Sequence, residues 1–264
     1  MNLNELRKEP HWSYSAFHCY LTCPLKFKFQ YIEHVKPEHT CSCFPFGRAF
    51  HAALSQRARS GPQLKIADAK ELFEAYFKAE INAVEHLVYK PKEDYGSLLQ
   101  TGFAMLTVCL ENWQDDFAVR SVEEGFFVEI PGLSKPLIGE YDLIVEDGGH
   151  EYIVDWKTAG AKWSPGKAHQ DLQATTFCYA RTKQTGRSPL FRFDIVTKTR
   201  TPCVESHYTE RNEADFQRFE LLAQTIEIGG AERCVLSERD RLFLRGLSLQ
   251  NQVSFVAREK GVRR

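Results

Sequence analysis

The sequence predicts a mixed α/β fold, a mixed central sheet with flanking helices and a helical lobe, on three observations. The stretch 138–158, IGEYDLIVEDGGHEYIVDWKT, reads as two strands joined by a glycine turn. Two long segments, 66–87 and 98–119, repeat apolar residues at three- and four-residue spacing, the mark of amphipathic helices. A helical stretch separates the second hairpin strand from the next strand at 191–197, which implies a crossover connection and some parallel pairing.

Each element has its own signal. The run WSYS at 12–15 offers hydroxyl caps to a helix through Phe17, Tyr20 and Leu21, and Cys23-Pro24 marks a break or a new first turn. In LKFKFQYIEHV the aromatics alternate at a period of two, yet a helix burying Phe27 and Tyr31 fits as well, so periodicity leaves both open. A helix starts near Gly47 and carries His51 among small apolar residues; a histidine there, taken alone, is most often a core or surface residue. The lobe at 62–120 covers one side of the sheet, with Leu72, Ala75, Tyr76 and Ala79 in its first helix and Phe103, Leu106, Leu110, Trp113 and Phe117 in its second. Between them KPKEDYGS is a polar connection broken by Pro91 and Gly96.

Strand character returns at 122–130 and ends at Pro131-Gly132. Beyond the hairpin, AGAKWSPGKA is loop and 168–181 a helix, with Gln173 on it near the hairpin strands. Strands follow at 191–197 and 204–208, then a helix at 212–228 with Phe216, Phe219, Leu222 and Ile226 on its apolar stripe. The tail from Ala231, ending AREKGVRR, is basic and partly helical.

A chain of 264 residues bounds one substantial core, so a single domain over 1–264 is expected, with the 62–120 lobe inside it. Hydrophobic residues at 43% and charged residues at 26% are ordinary for a soluble protein, and no apolar run reaches membrane-span length. The start MNLNELRKEPHW lacks the apolar stretch of a secretory signal, which makes the cytoplasm the expected compartment. Lys+Arg 34 against Asp+Glu 35 neither demands nor excludes nucleic acid, because an acidic site and a local basic groove cancel in the total. The eight cysteines, 19, 23, 41, 43, 109, 178, 203 and 234, are then expected as free thiols, with a zinc site from Cys19, Cys23, Cys41 and Cys43 as the other reading.

The chemistry concentrates in the hairpin. Side chains alternate along a strand, so Asp155 and Lys157 share a face that Trp156 does not, and Asp142 on the neighbouring strand can join them. Burying two carboxylates and a lysine in so apolar a sheet is costly unless a cation neutralises them, which suggests a metal site; hard oxygen ligands favour Mg2+ or Mn2+. In a dry site the pKa of Lys157 is expected to fall.

Five motifs in order resemble the PD-(D/E)XK nuclease superfamily. The resemblance is to its RecB-like branch, which includes nuclease domains of bacterial recombination helicase-nucleases, CRISPR-associated exonucleases and phage exonucleases. They are SYSAFHCYLTCPLKFKFQY, GRAFH with His51, GEYDLIV with Asp142, IVDWKT with Asp155 and Lys157, and DLQATTF with Gln173. The resemblance implies a restriction-endonuclease-like core and a metal-dependent deoxyribonuclease. It implies that His51, Asp142, Asp155 and the Trp156 carbonyl hold Mg2+ or Mn2+, that Lys157 activates water, and that Gln173 supports them. An exonuclease acting on DNA single strands or duplex ends in repair, recombination or phage DNA processing is the leading expectation. The alternative is a nucleic-acid-binding or assembly subunit that keeps the fold without needing hydrolysis.

Lys162 and Trp163 are the candidate DNA contacts beside the motifs. With no Gly-x-x-x-x-Gly-Lys-Ser/Thr loop in the chain, a helicase or recombinase partner would be a separate polypeptide. Relatives with an iron–sulfur cluster carry three cysteines near the C-terminus, where this chain has Cys203 and Cys234 only, so a cluster is not expected. Phe177 stands one turn after Gln173, where members of this branch often carry a tyrosine, with Tyr179 two residues on.

Overall fold

The computed structural model describes residues 3–232; Cys234 and the basic tail beyond Glu232 lie outside the described residues. In chain order the elements are α1 (Leu3–Leu6), α2 (Tyr14–Thr22), α3 (Pro24–Phe27), β1 (Thr40–Cys41), α4 (Cys43–Ser60), α5 (Ile66–Asn82), β2 (Leu87–Val88) and α6 (Tyr95–Glu111). There follow β3 (Ala118–Val128), β4 (Leu137–Asp147), β5 (His150–Ala159), α7 (Lys167–Gln170), α8 (Leu172–Thr185), β6 (Leu190–Thr197), β7 (Val204–Thr209) and α9 (Glu213–Glu232). Five strands form one sheet in the order β3-β4-β5-β6-β7, antiparallel throughout except for β5 and β6, which pair in parallel across the α7–α8 crossover. This is the mixed sheet with flanking helices that the sequence predicts.

The local rules hold at most boundaries. Ser13, in extended conformation, caps α2 by accepting the Ala16 N–H at 3.2 Å. Pro24 opens α3, and a wider π turn at Lys28–Ile32 continues it, so the aromatic run is helical: Phe27 is buried and stacks on Tyr31 one turn later. Gly148 and Gly149, both at positive φ, make the two-residue hairpin loop between Asp147 and His150.

Three boundaries differ from the periodicity. Helix α4 starts at Cys43, ahead of Gly47. Helix α6 ends at Glu111 rather than near 119, and 118–121 already belong to β3. Trp113 and Phe117 imitate helical spacing because both point at one apolar surface, with Trp113 6.1 Å from the Trp156 ring and Asp115 paired to Arg57 at 2.6 Å. The helix expected at 168–181 is broken at Asp171, whose extended backbone lets its carboxylate cap α8.

Two apolar layers sandwich the sheet. Helices α4, α5 and α6 bury Phe46, Phe50, Phe73, Phe77 and Leu106 against Leu143, Val145, Val154 and Trp156 on one face. On the other, α2, α8 and α9 bury Phe17, Phe177 and Phe219 against Tyr141, Ile153, Phe191 and Phe193. The helices at 62–120 thus share their layer with α4.

Strand β4 changes faces in its middle. Leu137 and Tyr141 belong to the α8 side, whereas Leu143 and Val145 belong to the α4 side. Regular alternation would put Tyr141 and Leu143 on one face. The switch falls at Asp142: the β3–β4 register passes from Val122↔Leu143 to Glu124↔Tyr141, leaving Glu123 and Asp142 unpaired, and the β4–β5 ladder stops at Leu143↔Val154. Glu123 there adopts φ 55, held by Ser55 at 2.8 Å and Arg59 at 2.5 Å from α4. Asp142 consequently stands at the seam between faces, within reach of both helical layers.

Candidate active site

Asp155 lies in the last part of β5, beside Phe193 of the parallel strand β6, on the α8 side. Its side chain is 3% exposed, and both oxygens have protein neighbours. Oδ1 accepts the Gln173 amide at 2.5 Å, and the Lys157 ammonium stands 2.5 Å from Oδ2. Gln173 reaches it because Asp171 fixes the first turn of α8, its carboxylate accepting the Gln173 N–H at 2.8 Å. Behind that turn the buried Arg211 ties the Ala168 and Asp171 carbonyls, at 3.0 and 3.1 Å, to β7.

Asp142 is held from the other layer. His51, two turns into α4, places Nδ1 3.3 Å from Asp142 Oδ2, with its ring edge-on to Trp156. The same oxygen accepts the Trp156 N–H at 3.0 Å, the backbone donor released where the β4–β5 ladder stops. His51, Ser55 and Arg59 recur at four-residue spacing, so one stripe of α4 serves both Asp142 and Glu123.

The four ionisable groups divide unequally. Burial raises the Asp155 pKa to about 6, against the pull of Lys157 and with a further push from Asp142. Burial also works against the Asp142 carboxylate, but His51, Lys157 and the Trp156 N–H together hold it below the usual range. Burial opposes the His51 imidazolium, yet Asp142 outweighs it and raises its pKa. Lys157 departs from the sequence expectation of a lowered pKa: burial would depress it, but Asp155 and Asp142 outweigh burial and hold the amine protonated.

The residues fit a divalent cation on chemistry rather than on a preassembled cage. Among the described residues no three His, Cys, Asp or Glu side chains stand arranged around a cation position, whether at this site or at the cysteine pairs. The reason here is that Asp155 faces Lys157 and Gln173 while Asp142 faces His51 and Trp156. Asp155 Oδ2, however, is buried and takes no hydrogen bond of proper geometry, so the nearby ammonium leaves it with unused acceptor capacity. The buried Asp155 carboxylate, with one oxygen still short of a partner, the half-buried Asp142 carboxylate and the His51 imidazole form a donor set for a hard divalent ion.

Of the two candidate DNA contacts, Trp163 borders this centre through Phe193, whose ring also lies 5.9 Å from the Lys157 ammonium. Lys162 is exposed and paired with Glu205 at 2.5 Å. Trp163 is half-buried, packed on Phe193 and His207 at 4.9 and 5.8 Å between ring centroids, with the Lys167 ammonium 4.0 Å from its own. Sequence reasoning missed Asp171, Glu123 and Arg211. Asp171 had a readable signal, an acidic residue directly before a helix, whereas Glu123 and Arg211 act through packing that has no local pattern.

A profile of the PD-(D/E)XK nuclease superfamily matches residues 11–234. The fold is similar to the crystal structure of a candidate exonuclease from Eubacterium rectale, at TM-score 0.57 and 11% identity, covering 88% of this chain and 87% of that one. A second solved structure, SSO0001, covers 79% of this chain and 84% of its own at 15% identity, and its TM-score of 0.32 is too low to bear on the fold. No curated protein is a significant match to the chain. With the profile spanning most of the sequence and the sheet carrying its carboxylates and lysine as described, the chain belongs to the PD-(D/E)XK nuclease superfamily.

Proposed function

We propose that the protein is a divalent-metal-dependent deoxyribonuclease that degrades DNA from single strands or duplex ends in repair, recombination or phage DNA processing. The observation that carries this reading is the convergence of Asp155, Lys157 and Gln173 with Asp142 and His51 at the sheet seam. The name given to the Eubacterium rectale protein favours exonuclease over endonuclease.

His51, Asp142, Asp155 and the Trp156 carbonyl would hold Mg2+ or Mn2+. Such an ion supplies Lewis-acid chemistry, drawing charge from a phosphate oxygen and making water more acidic. Lys157, held as an ammonium by its two carboxylate neighbours, stabilises negative charge on the attacking water or on the phosphate and does not itself take the proton. Gln173 keeps Asp155 oriented by occupying Oδ1, which leaves Oδ2 for ligation. Lys162 and Trp163 guide the strand towards the site.

End-labelled linear DNA and covalently closed circles, incubated with Mg2+ or Mn2+, test the reading. Release of labelled mononucleotides or short products from linear DNA, with circles intact, is expected. Asp155→Ala and Lys157→Ala should each abolish cleavage while keeping the fold. Undiminished metal-dependent degradation by both variants would remove the assigned mechanism.

A further inference from the structure

Three lysines recur at five-residue intervals from β5 onward, Lys157, Lys162 and Lys167. The first two are matched by carboxylates, Lys157 by Asp155 and Lys162 by Glu205. Among the described residues Lys167 forms no ion pair; it is exposed, and its ammonium stands over the Trp163 ring, 4.0 Å from the centroid. The residues between the two make that contact. Ser164-Pro165-Gly166-Lys167 closes a turn, with the Lys167 N–H donating to the Ser164 carbonyl at 3.2 Å and Gly166 at φ 81 and ψ −8, the values a type II turn takes after its proline. The chain folds back, and Lys167 comes to rest over the ring four residues before it. Its backbone is anchored as well: the next residue, Ala168, is buried, and its carbonyl accepts from Arg211 at 3.0 Å.

This turn lies beside the carboxylates. Asp155, Phe193 and His207 are register partners across β5, β6 and β7, so the three share one face of the sheet. Trp163 packs on the last two, at 4.9 and 5.8 Å between ring centroids, and the Lys157 ammonium lies 5.9 Å from the Phe193 ring. Adjacent strands are spaced by about 4.8 Å, which puts the indole over the part of the sheet roughly 5 to 10 Å from Asp155. A cation above it is therefore out of reach of the bond that Lys157 serves and close enough for the next phosphate of the same strand.

We infer that Lys167 contacts a DNA phosphate flanking the scissile one, with Trp163 as the positioning residue that holds its ammonium in place. The inference rests on the nuclease reading above. A lysine already resting on an aromatic face loses less freedom when a phosphate arrives than one extended in water, and it has no carboxylate to give up first. With the ammonium over it, the indole serves the cation rather than a base. The strand is then held by its backbone, whatever its sequence.

Steady-state cleavage of labelled linear DNA, as a single strand and as a duplex, with Mg2+ over a range of salt concentrations tests this. Wild type is compared with Lys167→Gln, Lys167→Arg, Trp163→Leu and the double variant Trp163→Leu with Lys167→Gln. Lys167→Gln should lower kcat/KM by about three- to tenfold, with the loss carried by KM, and should reduce the slope of log kcat/KM against log salt by roughly 0.7 on the single strand. Lys167→Arg keeps the charge and can lie on the ring, so it should restore both. Trp163→Leu should reproduce much of the Lys167→Gln loss and add little to it in the double variant, because the ring acts through the ammonium. An unaltered salt slope in Lys167→Gln, or a Trp163→Leu loss equally large with and without Lys167, would overturn the assignment while the nuclease reading stands. Failure of the wild-type protein to cut either form of the DNA would overturn both.

Discussion

The two helical layers reach the same pair of carboxylates with opposite electrostatic results. From the α4 layer, His51 meets Asp142 and, with the Trp156 N–H, lowers its pKa. From the α8 layer, Gln173 brings a neutral amide to Asp155, and even with Lys157 beside it that carboxyl rises to about 6. One side thus supplies charge and the other orientation. Two aspartates that look equivalent in the sequence are made different by what each helix carries, so the α8 side is where a cation has most to gain.

The sharpest way to break the comparison is to truncate each helical residue. His51→Ala should be the more damaging: it removes a proposed ligand and takes from Asp142 its main charged neighbour, leaving only Lys157. A loss of roughly 1,000-fold in metal-dependent cleavage is expected, read from kcat/KM. Gln173→Ala leaves every proposed ligand in place and removes only what orients Asp155, so a weakening of about 10- to 100-fold in apparent metal affinity is expected. Metal titrations of both variants check this. Equal losses would mean that orientation matters as much as ligation and that the two layers are not distinct in role.

A gentler probe uses pH and metal without mutation. A carboxyl raised from 3.8 to about 6 destabilises the fold as pH climbs from near 4, where the unfolded chain gives up its proton, to about 6, where the folded protein does. The raised imidazolium of His51 acts in the same direction, since its contribution is complete below 6.5 and is lost as pH rises through its folded value. Asp142, lowered, runs the other way and loses its contribution only as pH falls below about 3.8. Between pH 5 and 8 the metal-free protein should therefore lose stability. Mg2+ held at Asp155, as proposed, would compete there with the proton, so its effect on Tm should be larger at pH 8 than at pH 5. A ligand at a hundredfold excess over its Kd is worth roughly 2.7 kcal/mol, enough for a clear shift in thermal melts. A shift independent of pH would place the ion away from Asp155.

How much of this was legible without coordinates differs between the same two regions. The hairpin, its Gly148-Gly149 loop and the positions of Asp155 and Lys157 follow from strand alternation and turn chemistry, which are local. The parallel β5–β6 pair follows from the helix between them. What local rules could not show is the change of face at Asp142. Alternation would have kept Asp142 in step with its strand, and the unpaired Glu123 at positive φ, held from α4, arises from packing between residues nearly 70 positions apart in the chain. Likewise Gln173 was readable as a residue near the site, but its bond to Asp155 depends on the break at Asp171, which apolar periodicity ran straight through.

The smallest expected effect belongs to the surface pair of Lys162 and Glu205. Lys162 is exposed and paired with Glu205, and a solvent-screened surface pair of this kind adds little to stability, so Lys162→Ala should leave Tm nearly unchanged. Its part in DNA binding is separable from stability through salt. Every phosphate that a cationic side chain ceases to neutralise reduces the dependence of log K on log salt concentration by roughly 0.9, whatever the sequence of the DNA. Lys162→Ala should lower that slope by about one unit and weaken binding evenly across sequences, with kcat preserved because the carboxylates are untouched. Glu205→Gln should do the reverse, since it frees the ammonium from its protein partner and makes it available to a phosphate. If neither substitution moves the salt slope, Lys162 serves only Glu205, and the path of the strand lies on the Lys167 and Trp163 side, where the cation already rests over the ring.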